Sequence, residues 1–314
     1  MSDGRDVHTE SYRLRYAIVL LVTAAMPFWA SSPAMAANVA TPIVLVHGYQ
    51  VDNGTDCAKV WGDLKAFFAS QGWNGSLVSV GYYVNDVNCD ASINDDGSHD
   101  THFPSGHVSD GHTTATNIRH LGYHLAWWIY DHYTASGQCV DAVGHSMGGL
   151  IVRYAVAQVQ RHNSDFPPSL CLHDVVTLGT PHAGTPGAWA CGTTECAQMR
   201  GNLQCDGSTA SLFIRWLRGH AWNPQSTGGT QWTLLGSYAD VDVPADCAVG
   251  NMGAYGKTKY LPWDGVSHTD YLHITTNDYN ADVIYKKDGF GWSTDLSAPW
   301  PLEWTRLALG LNNW

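Results

Sequence analysis

The residues that could do chemistry begin with Ser146, which sits in Gly144-His145-Ser146-Met147-Gly148. A short apolar run, Val140 to Val143, precedes it and reads as a buried strand. Leu150, Ile151, Tyr154, Ala155 and Val159 follow with helical spacing. A serine at so sharp a strand-to-helix turn is held in a strained conformation, and glycines two before and two after it leave room for the crossing backbone. A serine hydroxyl is a weak nucleophile until a base takes its proton, and the base must itself be oriented. His268, in Gly265-Val266-Ser267-His268 near the end of the chain, is the expected base. His273 is the competitor, but it stands between apolar residues and reads as packed, and His145 beside the nucleophile also reads as packing. The acid should stand just past a strand expected at 232–236. Asp240, four residues before Pro244, is preferred there, with Asp242 and Asp246 as alternatives. The order serine, acid, histidine suits a parallel sheet whose later strands deliver the acid and the base. Two backbone N–H groups must hold the oxyanion. Met147 follows the nucleophile, and Tyr49 follows His47-Gly48 at the end of an earlier apolar run.

Those residues need a sheet to bring them together. Pro42 to Val46 is apolar without alternation, as expected of a strand buried on both faces. A helix is expected at 58–70, with Val60, Trp61, Leu64, Phe67 and Phe68 on one face, then a strand at 76–83. A helix at 117–133 leads to the strand at Val140, and the helix after Ser146 should run to about Arg161. A further strand is expected at 173–178, and another around 258–261. A helix is expected in the tail, 298–314. Strand and helix alternate, so the fold class is α/β: a mostly parallel, doubly wound sheet with its site at the carboxyl ends of the strands. Residues 187–231 break the rhythm and read as a cap or lid-like insert.

Composition bounds the function class. The 314 residues are 44% hydrophobic and 14% charged, enough for one large core, taken as a single catalytic domain over 37–314. A net charge of −12 leaves no basic surface for nucleic acid. Residues 1–36 read as a secretory signal: Arg13 and Arg15, an apolar stretch from Ala17 to Ala25, and Ala34-Met35-Ala36 as the cleavage site. All eight cysteines lie downstream and their number is even, which suits disulfides in a secreted, extracellular chain. The simplest pairing is 57–89, 139–171, 191–196 and 205–247. The second has a physical reason, because Cys139 and Cys171 precede strands expected to be parallel neighbours.

The stretch from Asn85 to His112 reads as a long polar loop near the mouth of the site. Its Asp90, Asp95, Asp96, His99, Asp100, His102, His107, Asp110 and His112 could ligate a metal, but their spacing matches no template, and no metal is expected.

Pro42 to Gly48 (PIVLVHG), Gly144 to Leu150 (GHSMGGL) with Arg153-Tyr154, and Thr177 to Gly184 (TLGTPHAG) together resemble secreted bacterial lipases and esterases of the α/β-hydrolase fold, most of all the actinobacterial branch. The resemblance spans roughly 41–275 and extends to Cys57-x3-Trp61, Gln198-Met199, Asp240-x3-Pro244 and Val266-Ser267-His268. It implies hydrolysis of carboxylic esters, often acylglycerols, through an acyl-enzyme and without an organic cofactor. Some relatives bind structural calcium, to which no loop here commits. The implied partner is an ester or lipid substrate, met transiently at a lipid–water interface. A polyesterase, a phospholipase, an acyltransferase or a silent binding protein on the same fold are the alternatives, and the sequence leaves the oligomeric state open. The 85–112 loop and the 187–231 insert are departures from the family pattern.

Overall fold

A computed structural model describes residues 40–93, 111–219, 229–250, 252–287 and 289–310. The expected leader at 1–36, the metal candidates between 94 and 110, and the 220–228 part of the insert lie outside the described residues.

The first strand, β1 (Ile43–Val46), is buried throughout, as its unbroken apolar run requires. It leads to α1 (Cys57–Ser70), started by Asp56, whose side chain accepts from Ala58 N–H. Then come β2 (Leu77–Gly81) and a two-residue β3 (Ala91–Ser92). Asn117 caps α2 (Ile118–His132), which precedes β4 (Val140–His145) and α3 (Met147–Gln160). The chain continues through β5 (Leu172–Leu178), the insert helices α4 (Thr194–Met199) and α5 (Leu212–Gly219), and β6 (Gln231–Ser237). It ends with α6 (Ala245–Val249), β7 (Gly256–Tyr260), β8 (Tyr279–Lys287), β9 (Ser293–Pro299) and α7 (Pro301–Gly310).

The sheet order is β3-β2-β1-β4-β5-β6-β7-β8-β9. Every pairing through β7 is parallel, and the last two are antiparallel. The chain steps outward from β1 to β3, crosses back to β4, and then runs the other way. This is the mostly parallel, doubly wound sheet of the α/β-hydrolase fold, and its direction reverses between β1 and β4. Crevices outside the carboxyl ends of strands open at such a reversal.

Alternate residues of the central strands build two cores. Val44, Val46, Val140 and Ala142 face α2, α3 and the insert. Ile43, Leu45, Val143 and Val176 face α1 and α7. In the described part of the insert, Cys196, Met199, Phe213, Ile214 and Leu217 lie in the same core as α3. That part is therefore a packed layer, fixed by its own burial.

All four disulfides pair as sequence proximity suggests, with Cα separations of 4.9 Å (57–89), 4.6 Å (139–171), 6.0 Å (191–196) and 4.7 Å (205–247). Cys139 and Cys171 precede β4 and β5, which are neighbours. The β8–β9 ribbon was not expected. Only Ala281 and Val283 of β8 are fully buried, with Tyr285 packed part-buried against the same core, while most of β9 is solvent-facing, so neither strand carries a strong apolar pattern. Ala298 belongs to β9, and the tail helix begins at Pro301. Among the described residues no helix is long and apolar enough to cross a membrane.

Candidate active site

β4 delivers Ser146 to the reversal point. Its backbone is at φ 54°, a left-handed conformation costly for a side chain with a Cβ. The strain is held from both sides. Ser146 N–H donates to the Leu178 carbonyl at 2.9 Å, and α3 begins at the next residue. Gly148 packs so closely on β1 that a Cβ there would run into the Val46 and His47 carbonyl oxygens.

β6 ends at Ser237, and the turn after it carries Asp240. The segment after β7 carries His268. The structure brings the three together: His268 Nε2 lies 2.9 Å from Ser146 Oγ, and His268 Nδ1 lies 2.8 Å from Asp240 Oδ2. Asp240 is buried, and its other oxygen accepts from Asp242 N–H at 3.0 Å and Val243 N–H at 2.9 Å. The carboxylate is thus aimed before anything binds. Asp242 gives that aim a backbone donor and leaves its own side chain exposed. Asp246 pairs with Lys259 at 2.5 Å, away from the histidine. His273 is not packed: it is exposed and pairs with Asp63 at 2.8 Å, because the short turn at Asp270–Leu272 buries Tyr271 and Leu272 instead.

The segment after β1 passes beside the nucleophile. A Cβ on Gly48 would come 2.7 Å from Ser146 Cβ. Among the described residues neither Tyr49 N–H nor Met147 N–H is taken by a hydrogen bond. Donors left open beside a nucleophile can receive an oxyanion.

Residues 43–193 match the family described as "Putative serine esterase (DUF676)". No curated protein matches the sequence. Among solved structures, Aspergillus fumigatus lipase B is similar at 16% identity and a TM-score of 0.46, over 76% of this chain and 52% of that one. The mature Bacillus licheniformis lipase BlEst2 is similar at 21% identity and a TM-score of 0.37, over 64% of this chain and 67% of that one. The Legionella pneumophila phospholipase PlaB, in complex with thio-NAD, is similar at 15% identity and a TM-score of 0.41, over 62% of this chain. This chain spans only 37% of that phospholipase.

The contacts of several supporting residues escape a reading of the sequence. His47 is fully buried; its Nε2 lies 3.0 Å from Asp86 Oδ2, and its Nδ1 lies 2.9 Å from the Gly48 carbonyl. Its ring stacks on Tyr82 at 4.1 Å. Burial alone would push the Asp86 pKa up, but hydrogen bonds from His47 and from the Tyr82 and Tyr83 N–H groups outweigh it and hold the carboxyl below its usual value. The Tyr82 hydroxyl lies within 2.9 Å of the His47 carbonyl and 2.7 Å of the Gly48 carbonyl. Asp86 and Tyr82 therefore hold the segment that carries Tyr49. Asp86 lies in the long polar stretch that follows β2, and no local pattern marks it.

His145 is also more than packing. Its Nε2–H donates to the His268 carbonyl at 2.7 Å, and the two rings lie 4.8 Å apart. Burial, aided by the nearby His268, lowers its pKa to about 3, so it works as a neutral donor.

Proposed function

We propose that this chain is a serine carboxylic-ester hydrolase, and within that class a triacylglycerol lipase or esterase. The observation that carries the reading is His268 standing in hydrogen-bond reach of both the Ser146 hydroxyl and the buried Asp240 carboxylate. In this reading His268 Nε2 takes the Ser146 proton as Oγ attacks the ester carbonyl. Asp240 holds the imidazole in the tautomer that can accept it and stabilises the imidazolium. The Tyr49 and Met147 N–H groups receive the oxyanion. His268 then gives its proton to the leaving alcohol, and water cleaves the acyl-enzyme by the same steps in reverse. No step calls on an organic cofactor.

An apolar substrate is supported by the apolar side chains on segments that leave the carboxyl ends of the strands. Val51 follows β1, Trp189 and Leu212 lie in the insert, and Val241 follows β6, and all are well exposed. They suit brief contact with a lipid–water interface. Export is supported by the four disulfides and by the leader-like first 36 residues.

The test is hydrolysis of p-nitrophenyl esters of increasing chain length by wild type beside Ser146→Ala. The variant should lose at least about 10⁴-fold in kcat and should no longer be labelled by a fluorophosphonate probe. Equal rates for the two proteins would defeat the mechanism. Tributyrin, triolein, a polyester film and a phospholipid, compared on the same enzyme, rank the substrate classes.

A further inference from the structure

Away from Ser146, three histidines converge at the start of α2. His120 and His124 stand four residues apart, so they project from one helix face, and their Nε2 atoms lie 3.0 Å apart. His112 comes in from the segment before the helix. One ligand atom from each of the three lies within 4.8 Å of the others. The rings meet edge to face, with centroids 4.5–5.0 Å apart. His112 and His124 are buried, and His120 reaches the surface.

We propose that His112, His120 and His124 bind a divalent first-row transition metal, zinc in the first instance. Three imidazole nitrogens are a ligand set that zinc accepts, leaving a fourth position open. At zinc–nitrogen distances of about 2.0–2.1 Å, tetrahedral ligands stand roughly 3.3 Å apart, so the pair on α2 is already near that spacing. The tautomer of His112 is set as well: its Nδ1–H donates to the Tyr82 carbonyl at 3.0 Å, which leaves Nε2 as the ligand atom. A carbonyl partner on the far ring nitrogen is the usual way to aim a metal-binding histidine.

The same Tyr82 bonds and stacks against the His47-Gly48 segment, so a metal here would stiffen the chain that carries Tyr49. That last step rests on the ester-hydrolase reading; the metal site does not.

The test uses untagged protein, stripped with EDTA and dialysed, and reads the metal directly. Calorimetric titration with Zn²⁺ should give one site per chain. His120→Ala/His124→Ala should weaken it at least 100-fold, with the far-UV circular dichroism of the variant unchanged. Co²⁺ added to the stripped wild-type protein should give visible ligand-field bands of low coordination number, bleached by one equivalent of Zn²⁺. This second readout stands if the double variant does not fold. Absence of both the Zn²⁺ site and the Co²⁺ bands, or equal Zn²⁺ affinity in a folded double variant, overturns the proposal. Either result leaves the Ser146 chemistry untouched, because turnover is not what is measured.

Discussion

The two edges of the sheet bury the same residue type and treat it in opposite ways. At the carboxyl edge, Asp240 has both oxygens answered, one by two backbone N–H groups and one by His268. At the amino edge, Asp141 on β4 and Asp174 on β5 are 1% and 6% exposed and face each other. Asp141 Oδ1 accepts from Asp174 N–H at 3.1 Å, and among the described residues neither carboxyl meets a cation. Burial pushes the Asp141 pKa up to about 8, with the Asp174 charge adding to it, and burial alone raises that of Asp174 to about 7. Depth alone does not decide what a carboxyl meets: the turn after β6 brings two backbone N–H groups to Asp240, whereas the Asp141 carboxyl meets the single N–H of Asp174.

One substitution tried at both edges is the sharpest way to break that comparison. Asp240→Asn should cost on the order of 10⁴ in kcat while the fold persists, since the amide can no longer hold the catalytic tautomer. Asp141→Asn should leave kcat unchanged. Similar losses from the two variants would mean that the edges are not distinct in function.

The disulfides offer the next largest effect. Cys139–Cys171 ties the amino edge and Cys205–Cys247 ties the insert to α6, just past the Asp240 turn, closing 32 and 42 residues. Replacing either pair by serines should cost about 4 kcal/mol on chain entropy alone, read by denaturant unfolding. Only loss of the second should also lower kcat in the protein that remains folded. A loss of turnover from Cys139→Ser/Cys171→Ser would contradict the separation.

The amino-edge pair also sets a pH dependence. Both carboxyls have folded pKa values above the ordinary value of about 3.9, so the folded state holds the extra protons. Their stabilising contribution is full below about pH 4 and is lost as pH rises through about 7 to 8. Asp141→Asn should therefore match wild type near pH 4.5 and exceed it by a few kcal/mol at pH 8.5, measured by urea unfolding. A variant that is less stable at pH 8.5 would sink this account.

The carboxyl edge was legible in the sequence where its residues follow a strong apolar run; His268, which comes after the lysine-bearing β7, was placed by its position late in the chain. Ser146 follows Val140–Val143, His47-Gly48-Tyr49 follows Pro42–Val46, and Asp240 follows Trp232–Gly236. Strand order then does the rest, since parallel neighbours place their far ends side by side. Asp86 and Tyr82 were not legible, because their contacts join β1 to the segment after β2 and leave no local spacing. The two helical histidines were written plainly as His-x3-His at 120–124, but the apolar face of α2 is the louder signal there. The β8–β9 ribbon went unseen for the opposite reason: an edge strand half open to solvent has too few buried positions to show a period.

The smallest effect concerns His145, where the edges should differ in the sign of their pH response. Its folded pKa, near 3, lies below the ordinary value of about 6.5, so the unfolded chain gains the proton first. Its contribution to stability is full above about pH 6.5 and is lost as pH falls toward 3, opposite to the acid pair. His145→Phe keeps a ring in the site but leaves the His268 carbonyl without its donor, at a cost of about 1–3 kcal/mol. Because that carbonyl belongs to the residue between Ser146 and Asp240, part of the cost should appear as a fall in kcat of roughly tenfold with KM little changed. His145→Gln, which can offer an N–H to the same carbonyl, should recover part of it. A residue that only fills space would lower stability in both variants alike and leave the kcat of the folded enzyme where it was, so recovery by glutamine is the outcome that separates positioning from packing.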